Sequence, residues 1–224
     1  MIAMSDYKST HRGSTTEEFL TIVIRSKYFV DISSKSSRER INFADFGSGI
    51  GNAGKVVHDQ KHRGLVFWGI ENDEALSDYS KERLGKLNNK NLNVVKADFT
   101  NLPRHVMDTF ENGGRLFIYL NNDRYRMADS TTNNIGDTTE TRLVRSLRNY
   151  RVGTVLLSLG VLPMDSDWDL QRFCIMTSDI DPLTYAPNRT TMDVYRYEKV
   201  VPGVIKHSSG RSVIRLDSKG ERIV

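Results

Sequence analysis

The sequence predicts an α/β fold, with a mostly parallel sheet of seven strands and helices on both of its faces. Residues 41–160 alternate short apolar runs with helical segments, which is typical of parallel strands joined by crossover helices. Three successive apolar runs end in a carboxylate, and glycines follow the first run at every second position. Together these three observations predict a ligand site at the carboxyl edge of the sheet.

The first strand is expected at residues 41–46, where the apolar residues suit a buried strand. A glycine-rich turn follows, and a helix is predicted from 52 to 61. Glycines allow the backbone to turn tightly and to approach a ligand, and the first N–H groups of the helix are unpaired. The candidate ligand contacts are Asp45, Gly47, Ser48, Gly49, Gly51 and Asn52. An ordinary strand-to-helix turn is the alternative interpretation. The D-x-G-x-G-x-G arrangement resembles the nucleotide site of enzymes that use S-adenosylmethionine (SAM).

The second and third strands each lead to a further acidic residue. The run at 65–71 ends in Glu71, at the spacing of about 20 residues from the glycines that suits a carboxylate bound to the ribose hydroxyl groups. The run at 92–99 ends in Asp98 and Phe99, which suit the adenine amino group and the adenine ring. A single acidic residue at such a position is often a helix N-cap, but three in succession favour a nucleotide site.

The remaining segments complete the sheet. A fourth strand is predicted at 114–120, a helix at 138–150 and a fifth strand at 152–159. Runs near 170–177 and 191–199 are expected to form a reversed hairpin that completes seven strands. Three zones result: an N-terminal helical arm over residues 1–40 that closes the cofactor pocket, a catalytic domain over 41–200, and a basic C-terminal hairpin or tail over 201–224.

The chemistry is expected where the fourth strand ends, because ligands in such folds lie outside the carboxyl ends of the strands. Asn121 and Asn122 follow that strand directly. A side-chain amide there can hold a substrate nitrogen through its carbonyl oxygen and so align it for an in-line methyl transfer. Tyr119 and Tyr125 are candidate aromatic walls for a cationic amine. A simple turn is the alternative interpretation of the paired asparagines.

The chain resembles the disruptor-of-telomeric-silencing (Dot-one-like) family, the histone-lysine methyltransferases that lack a SET domain. The matching blocks are residues 13–16, 45–52, 69–71 and 97–99 and the paired Asn121 and Asn122, in that order. This resemblance implies the Rossmann-like fold of class I SAM-dependent methyltransferases, with SAM as the cofactor and S-adenosylhomocysteine (SAH) as the product. Two departures are that the family's helical N-terminal subdomain is nearly missing and that Asp123 stands where the family has an aromatic residue.

The resemblance also implies roles for single residues. Thr15 and Thr16 are expected to close the pocket over the methionine part of SAM, and Asn121 to lie beside the transferred methyl group. Tyr195 is the candidate wall of a lysine channel, and Tyr119 is expected next to Asn121. A protein lysine, as in a histone or another basic protein, is the favoured acceptor. A methyltransferase of RNA or of a small molecule, and a non-catalytic SAM-binding module, are the alternatives.

Composition suits an intracellular protein of a reducing compartment, either the cytoplasm or the nucleus. Cys174 is the single cysteine among 224 residues, which excludes an internal disulfide and a cysteine-rich zinc site. No apolar run approaches the ~20 residues of a membrane span, and residues 1–6 show no signal-peptide pattern. The histidines lack metal-ligand spacing, so no catalytic metal is expected. The formal net charge is +4, and the basic residues of the tail suit either nucleic-acid contact or a solvated terminus.

Overall fold

The computed structural model describes residues 17–32, 39–121, 139–177, 190–201 and 213–223. Their strands are β1 (Ile41–Phe46), β2 (Leu65–Glu71), β3 (Leu92–Lys96), β4 (Arg115–Leu120), β5 (Val155–Ser158), β6 (Trp168–Thr177), β7 (Thr190–Lys199) and β8 (Val213–Leu216). The helices are α1 (Glu17–Arg25), α2 (Asn52–Asp59), α3 (Glu74–Gly85), α4 (Arg104–Asn112) and α5 (Thr139–Leu147). These elements confirm the predicted alternation of strands and helices.

The strands form one sheet in the order β3-β2-β1-β4-β5-β7-β6-β8. The first five strands run parallel to their neighbours, β7 is antiparallel to β5 and β6, and β8 is parallel to β6. Strand order reverses between β1 and β4, since the chain moves from β1 outward to β3 and then returns to the other side of β1. The crevice outside the carboxyl ends of β1 and β4 is therefore where this topology places a ligand.

The predicted count of seven strands is short by one, because β8 extends the sheet beyond β6. The reversed hairpin predicted near 170–177 and 191–199 is confirmed as β6 and β7. Within residues 213–223 of the C-terminal segment, an isolated antiparallel bridge joins Leu216 to Arg222. The Asp217 N–H closes the turn between these two residues by donating to the Glu221 carbonyl oxygen at 2.9 Å.

Side chains alternate between the two faces of the sheet and form two apolar clusters. One face buries Phe43, Phe67 and Phe117 in a cluster that also includes the apolar side of α1 and residues of α2. The opposite face buries Ile118 and Leu156 in a cluster that includes residues of α4 and α5. With both faces covered, β1 is buried along its whole length and β2 at every residue except the partly buried Trp68, as expected for parallel strands.

Both ends of the described chain pack against the same cluster. Phe19 of α1 and Leu216 of β8 are completely buried there. The Ser26 hydroxyl after α1 donates to the Gly220 carbonyl oxygen at 3.1 Å, which ties the arm to the C-terminal segment. The division into three zones at residues 40 and 200 stays a prediction. No helix among the described residues is both long enough and apolar enough to cross a membrane.

Candidate active site

The glycine-rich loop after β1 has open space beside two of its glycines. Gly47 and Gly49 have φ angles of +78° and +51°, in the left-handed region that glycine adopts without strain. A Cβ atom built on either residue meets no other atom within 4 Å. The N–H groups of Gly47 and Ser48 donate to the Ile70 carbonyl oxygen at 2.9 and 3.1 Å, which ties the loop to β2. The loop is therefore held against β2, and we call it, together with the open space beside Gly47 and Gly49, the cradle.

Gly51 serves a different purpose from the two glycines before it. Its Cα packs on α3, where an added Cβ would lie 2.4 Å from the Ser80 hydroxyl oxygen. Its φ angle of +79° begins α2 without a side-chain cap. The third glycine of the predicted contact set thus faces the interior and allows α2 and α3 to approach each other. A contact between Gly51 and the cofactor stays a prediction, and the structure shows its packing against α3.

Glu71 closes the cradle from the end of β2. One carboxylate oxygen accepts from the Gly49 N–H at 2.7 Å, and the other accepts from the Asp73 N–H at 2.9 Å. The side chain is 9% exposed, so these bonds fix the carboxylate at the rim of the cradle. The free lone pairs of its two oxygens remain able to accept from a ligand. This geometry fits the predicted ribose contact.

Asp45 is a buried acid at the end of β1. It is 6% exposed, and neither a hydrogen bond nor a cation is among the interactions with described residues that shift the pKa of its carboxyl group. Burial, followed by repulsion from the Glu71 carboxylate, raises the pKa of Asp45 from 3.8 to about 7. A cationic ligand group placed beside Asp45 would relieve both effects, because it would compensate the buried negative charge.

Asp98 and Phe99 lie past the end of β3, which stops at Lys96 rather than at the predicted residue 99. The strand ends early because Asp98 forms a turn, accepting from the N–H and the hydroxyl of Thr100 at 2.8 Å each. The Phe99 ring stacks on Phe46 with centroids 5.4 Å apart and planes 11° apart. Both predicted adenine contacts therefore lie past the carboxyl end of β3, and Phe99 packs on the last residue of β1.

Of the residues predicted to bind the methyl acceptor, Tyr119 lies in the core and Asn121 lies at the carboxyl edge of the sheet. Tyr119 is 2% exposed and stacks on Phe43 at 6.3 Å, so its ring belongs to the apolar core and not to an open wall. Asn121 is half-buried and directly follows β4, at the predicted edge. Asn122, Thr15 and Thr16 fall outside the described residues, as do Tyr125 and Asp123.

Tyr195 lies at the carboxyl edge as well, since it pairs with Ser158, the last residue of β5. The guanidinium of Arg172 lies 5.7 Å from the centre of its ring. Arg172 is held there by Asp193 at 2.7 Å, and this ion pair raises the pKa of the guanidinium. A guanidinium that is paired with a carboxylate thus lies next to the ring that was predicted to line a lysine channel.

Asn52 begins α2, and its side-chain oxygen accepts from the Arg83 guanidinium at 2.7 Å. Arg83 is a residue of the site that sequence reasoning missed. Its partners are 31 and 33 positions away, and an arginine in the last turn of a helix is common for local reasons. Within the described ranges, no three His, Cys, Asp or Glu side chains are grouped so that they could hold a metal ion.

No protein-family profile and no curated protein matches the sequence. Solved structures do match. A candidate class I SAM-dependent methyltransferase of Listeria monocytogenes is 10% identical over 95% of this chain and 69% of its own, with a TM-score of 0.52. The precorrin-6y C5,15-methyltransferase of Geobacter metallireducens is 12% identical over 84% of this chain and 90% of its own, with a TM-score of 0.53. The plantazolicin methyltransferase, solved in complex with SAH, is 12% identical over 87% of this chain and 90% of its own, with a TM-score of 0.50.

At these identities the likeness concerns the fold, and nothing in it points to the disruptor-of-telomeric-silencing family in particular. The strand order, the reversed β7 and the glycine-rich loop after β1 agree with the same architecture. The chain therefore has the Rossmann-like fold of class I SAM-dependent methyltransferases.

Proposed function

We propose that this protein is a SAM-dependent methyltransferase that transfers a methyl group to an amine. The observation that carries the proposal is the open cradle of Gly47 and Gly49, bordered by Glu71 and by the buried carboxyl group of Asp45. Two buried acids beside the open space at these glycines suit a ligand with hydroxyl groups and a positive charge. SAM has both, and it supplies a methyl group activated by its positively charged sulfur.

The residues around the cradle match the parts of SAM in order. Glu71 would accept from the ribose hydroxyl groups, and the second oxygen of Asp98 would accept from the adenine amino group while Phe99 lies against the ring. The first N–H groups of α2 have no acceptor within the helix, so they would bind the methionine carboxylate. Asp45 would hold the ammonium group of the methionine part. Each of the four polar contacts among these pairs a ligand group with a side chain or backbone group of suitable polarity.

Asn121 would act on the acceptor. Its amide oxygen would accept from the amine and orient the nitrogen lone pair toward the methyl group, so that alignment rather than a dedicated base accelerates the transfer. The amine would lose its proton to solvent. The position of Asn121 directly after β4, beside the ligand crevice, supports this role.

A protein lysine is the acceptor favoured by the resemblance of the paired Asn121 and Asn122 to the histone-lysine enzymes. RNA is the second candidate, and one observation favours it. The guanidinium of Arg172 lies beside the Tyr195 ring, and guanidinium and aromatic planes both stack well on nucleobases. Both acceptors are compatible with methyl transfer to an amine.

The proposal is tested with SAM that carries a tritiated methyl group. Wild-type protein is incubated with histones, with another basic protein and with total RNA, and the label in each acceptor is counted. We expect label in one acceptor class, and its loss in Asn121→Ala. Asn112→Ala is the matched control, because Asn112 is an exposed residue at the end of α4 whose side chain bonds only the Asp108 carbonyl oxygen.

Label in histone would select the lysine enzyme, and label in RNA would select the alternative. Label that persists unchanged in Asn121→Ala would contradict the role given to Asn121. If wild-type protein binds SAM and labels no acceptor, including small amines, the non-catalytic SAM-binding module becomes the better description.

A further inference from the structure

Arg83 reaches from α3 to the start of α2. One terminal nitrogen of its guanidinium, Nη1, donates to the Ile50 carbonyl oxygen at 3.0 Å and to the Asn52 side-chain oxygen at 2.7 Å. Both bonds are partly buried. The arginine therefore binds the last loop residue before Gly51 and the first residue of α2, one on each side of the helix start.

The start of α2 has no other side-chain support among its own residues. Gly51 occupies the cap position and offers no side-chain acceptor for the first N–H groups. In contrast, α3 has a side-chain cap, since the Asp73 carboxylate accepts from the Leu76 N–H at 3.0 Å. An asparagine next to a helix start readily folds back on the nearby backbone, but Arg83 holds the oxygen of Asn52 to itself. The first N–H groups of α2 thus stay available to a ligand.

A helix start without a cap is by itself a weak indication of a ligand. Asp45 is a second, independent indication of a ligand at this loop. Asp45 lies at the end of the strand that leads into the loop, it is 6% exposed, and within the described part of the chain the only charge that acts on its carboxyl group is the repelling Glu71 carboxylate. A ligand with an ammonium group near Asp45 and a carboxylate at the start of α2 is an amino acid in form. The positive charge of Arg83 beside the helix start adds to the attraction for that carboxylate.

We propose that Arg83 is a positioning residue that holds the start of α2 in the geometry that binds the amino-acid part of SAM and SAH. This inference rests on the proposed function. Arg83 touches protein groups and acts on the ligand through them. Its removal should therefore weaken the binding of ligands that carry the amino-acid chain, and it should leave the adenosine contacts at Glu71 and Asp98 unchanged.

The test compares SAH with 5′-methylthioadenosine, which has the adenosine part and a methyl thioether in place of the amino-acid chain. Isothermal titration calorimetry measures both ligands on wild type, Arg83→Met and Arg83→Lys. A hydrogen bond from a charged group typically contributes enough to change an affinity by about 10- to 100-fold. We expect a loss of SAH affinity in that range for Arg83→Met, with the affinity for 5′-methylthioadenosine within about twofold of wild type.

Arg83→Lys is expected to recover part of the SAH affinity, because it retains a positive charge and one donor at the helix start. Lys81→Met is the control on the same helix. Lys81 is exposed, and its partner is Asp78 of the same helix, at a distance of 3.3 Å. Lys81→Met should leave both affinities unchanged. Thermal unfolding of every variant, without ligand, separates a positioning effect from a general loss of stability.

An equal loss for both ligands would overturn the proposal, because it would show that Arg83 supports the whole fold of the site. An unchanged SAH affinity in Arg83→Met would overturn it as well. If Arg83→Met does not fold, the SAH-to-methylthioadenosine ratio of Arg83→Lys decides, and a ratio equal to that of wild type rejects the proposal. Wild-type protein that binds neither ligand would reject the proposed function itself, and this inference with it.

Discussion

Replacing Asp45 by asparagine should remove a pH-dependent cost that the native fold carries. The pKa of Asp45 is raised from 3.8 to about 7, chiefly by burial and then by the Glu71 carboxylate. The folded protein therefore holds a proton that the unfolded chain releases, and stability falls as the pH rises from about 4 through about 7. At about 1.4 kcal/mol per pH unit, the full cost above pH 7 is at most about 4 kcal/mol.

The assay is urea unfolding of wild type and Asp45→Asn at pH 5.5 and pH 8, without ligand. Between these two values, wild type should lose about 2 kcal/mol more than the variant, because the linkage relation places roughly half of the total cost in that interval. Groups other than Asp45 titrate in both proteins, so the difference between the two isolates this carboxyl group. Equal pH dependence in wild type and variant would refute a buried acid with a raised pKa at position 45.

Three further changes test other parts of the structure. Gly49→Ala should lower stability by only about 1 kcal/mol, from its left-handed backbone, yet weaken SAH binding at least about tenfold in calorimetry because the Cβ enters the open cradle. Lys199→Met leaves Asp167 without its buried ion-pair partner and should cost about 3 kcal/mol in urea unfolding. Phe99→Leu removes the stacking on Phe46 and should cost about 1 kcal/mol, with a parallel loss of SAH affinity.

Those changes would be contradicted by distinct results. Tight SAH binding by Gly49→Ala would mean that the cradle is not the ligand site. Unchanged stability of Lys199→Met would mean that the ion pair contributes no net stabilisation. Unchanged affinity of Phe99→Leu, together with the expected stability loss, would confine Phe99 to a packing role.

The parts of the fold that sequence analysis predicted are those with strong local signals. The apolar run of β1, the glycines after it and Glu71 at the end of β2 lie where they were expected, because apolar runs and glycines constrain the backbone near themselves. In contrast, β8 has only four residues and pairs in parallel with a strand about forty positions earlier, so its place depends on contacts that no local pattern reports.

The site was predictable to the same extent. The positions of Glu71, Asp98 and Asn121 at the carboxyl edge follow from the ends of their strands. The burial of Tyr119 does not follow from the end of its strand, because it results from packing on Phe43 in a neighbouring strand. Arg83 was missed for the same reason, because its partners approach only when α3 folds back over the glycine-rich loop.

The most direct test of the central claim is isothermal titration calorimetry of SAM with wild type, Glu71→Ala and the control Glu74→Ala. Glu74 is an exposed glutamate that pairs with Lys96 at 2.9 Å on the surface of α3. We predict that wild type and Glu74→Ala bind SAM with the same affinity and that Glu71→Ala loses at least about tenfold, since a charged acceptor is removed. Folded wild-type protein that shows no binding of SAM, or a Glu71→Ala variant that binds as well as wild type, would contradict the assignment of this cradle as a SAM site.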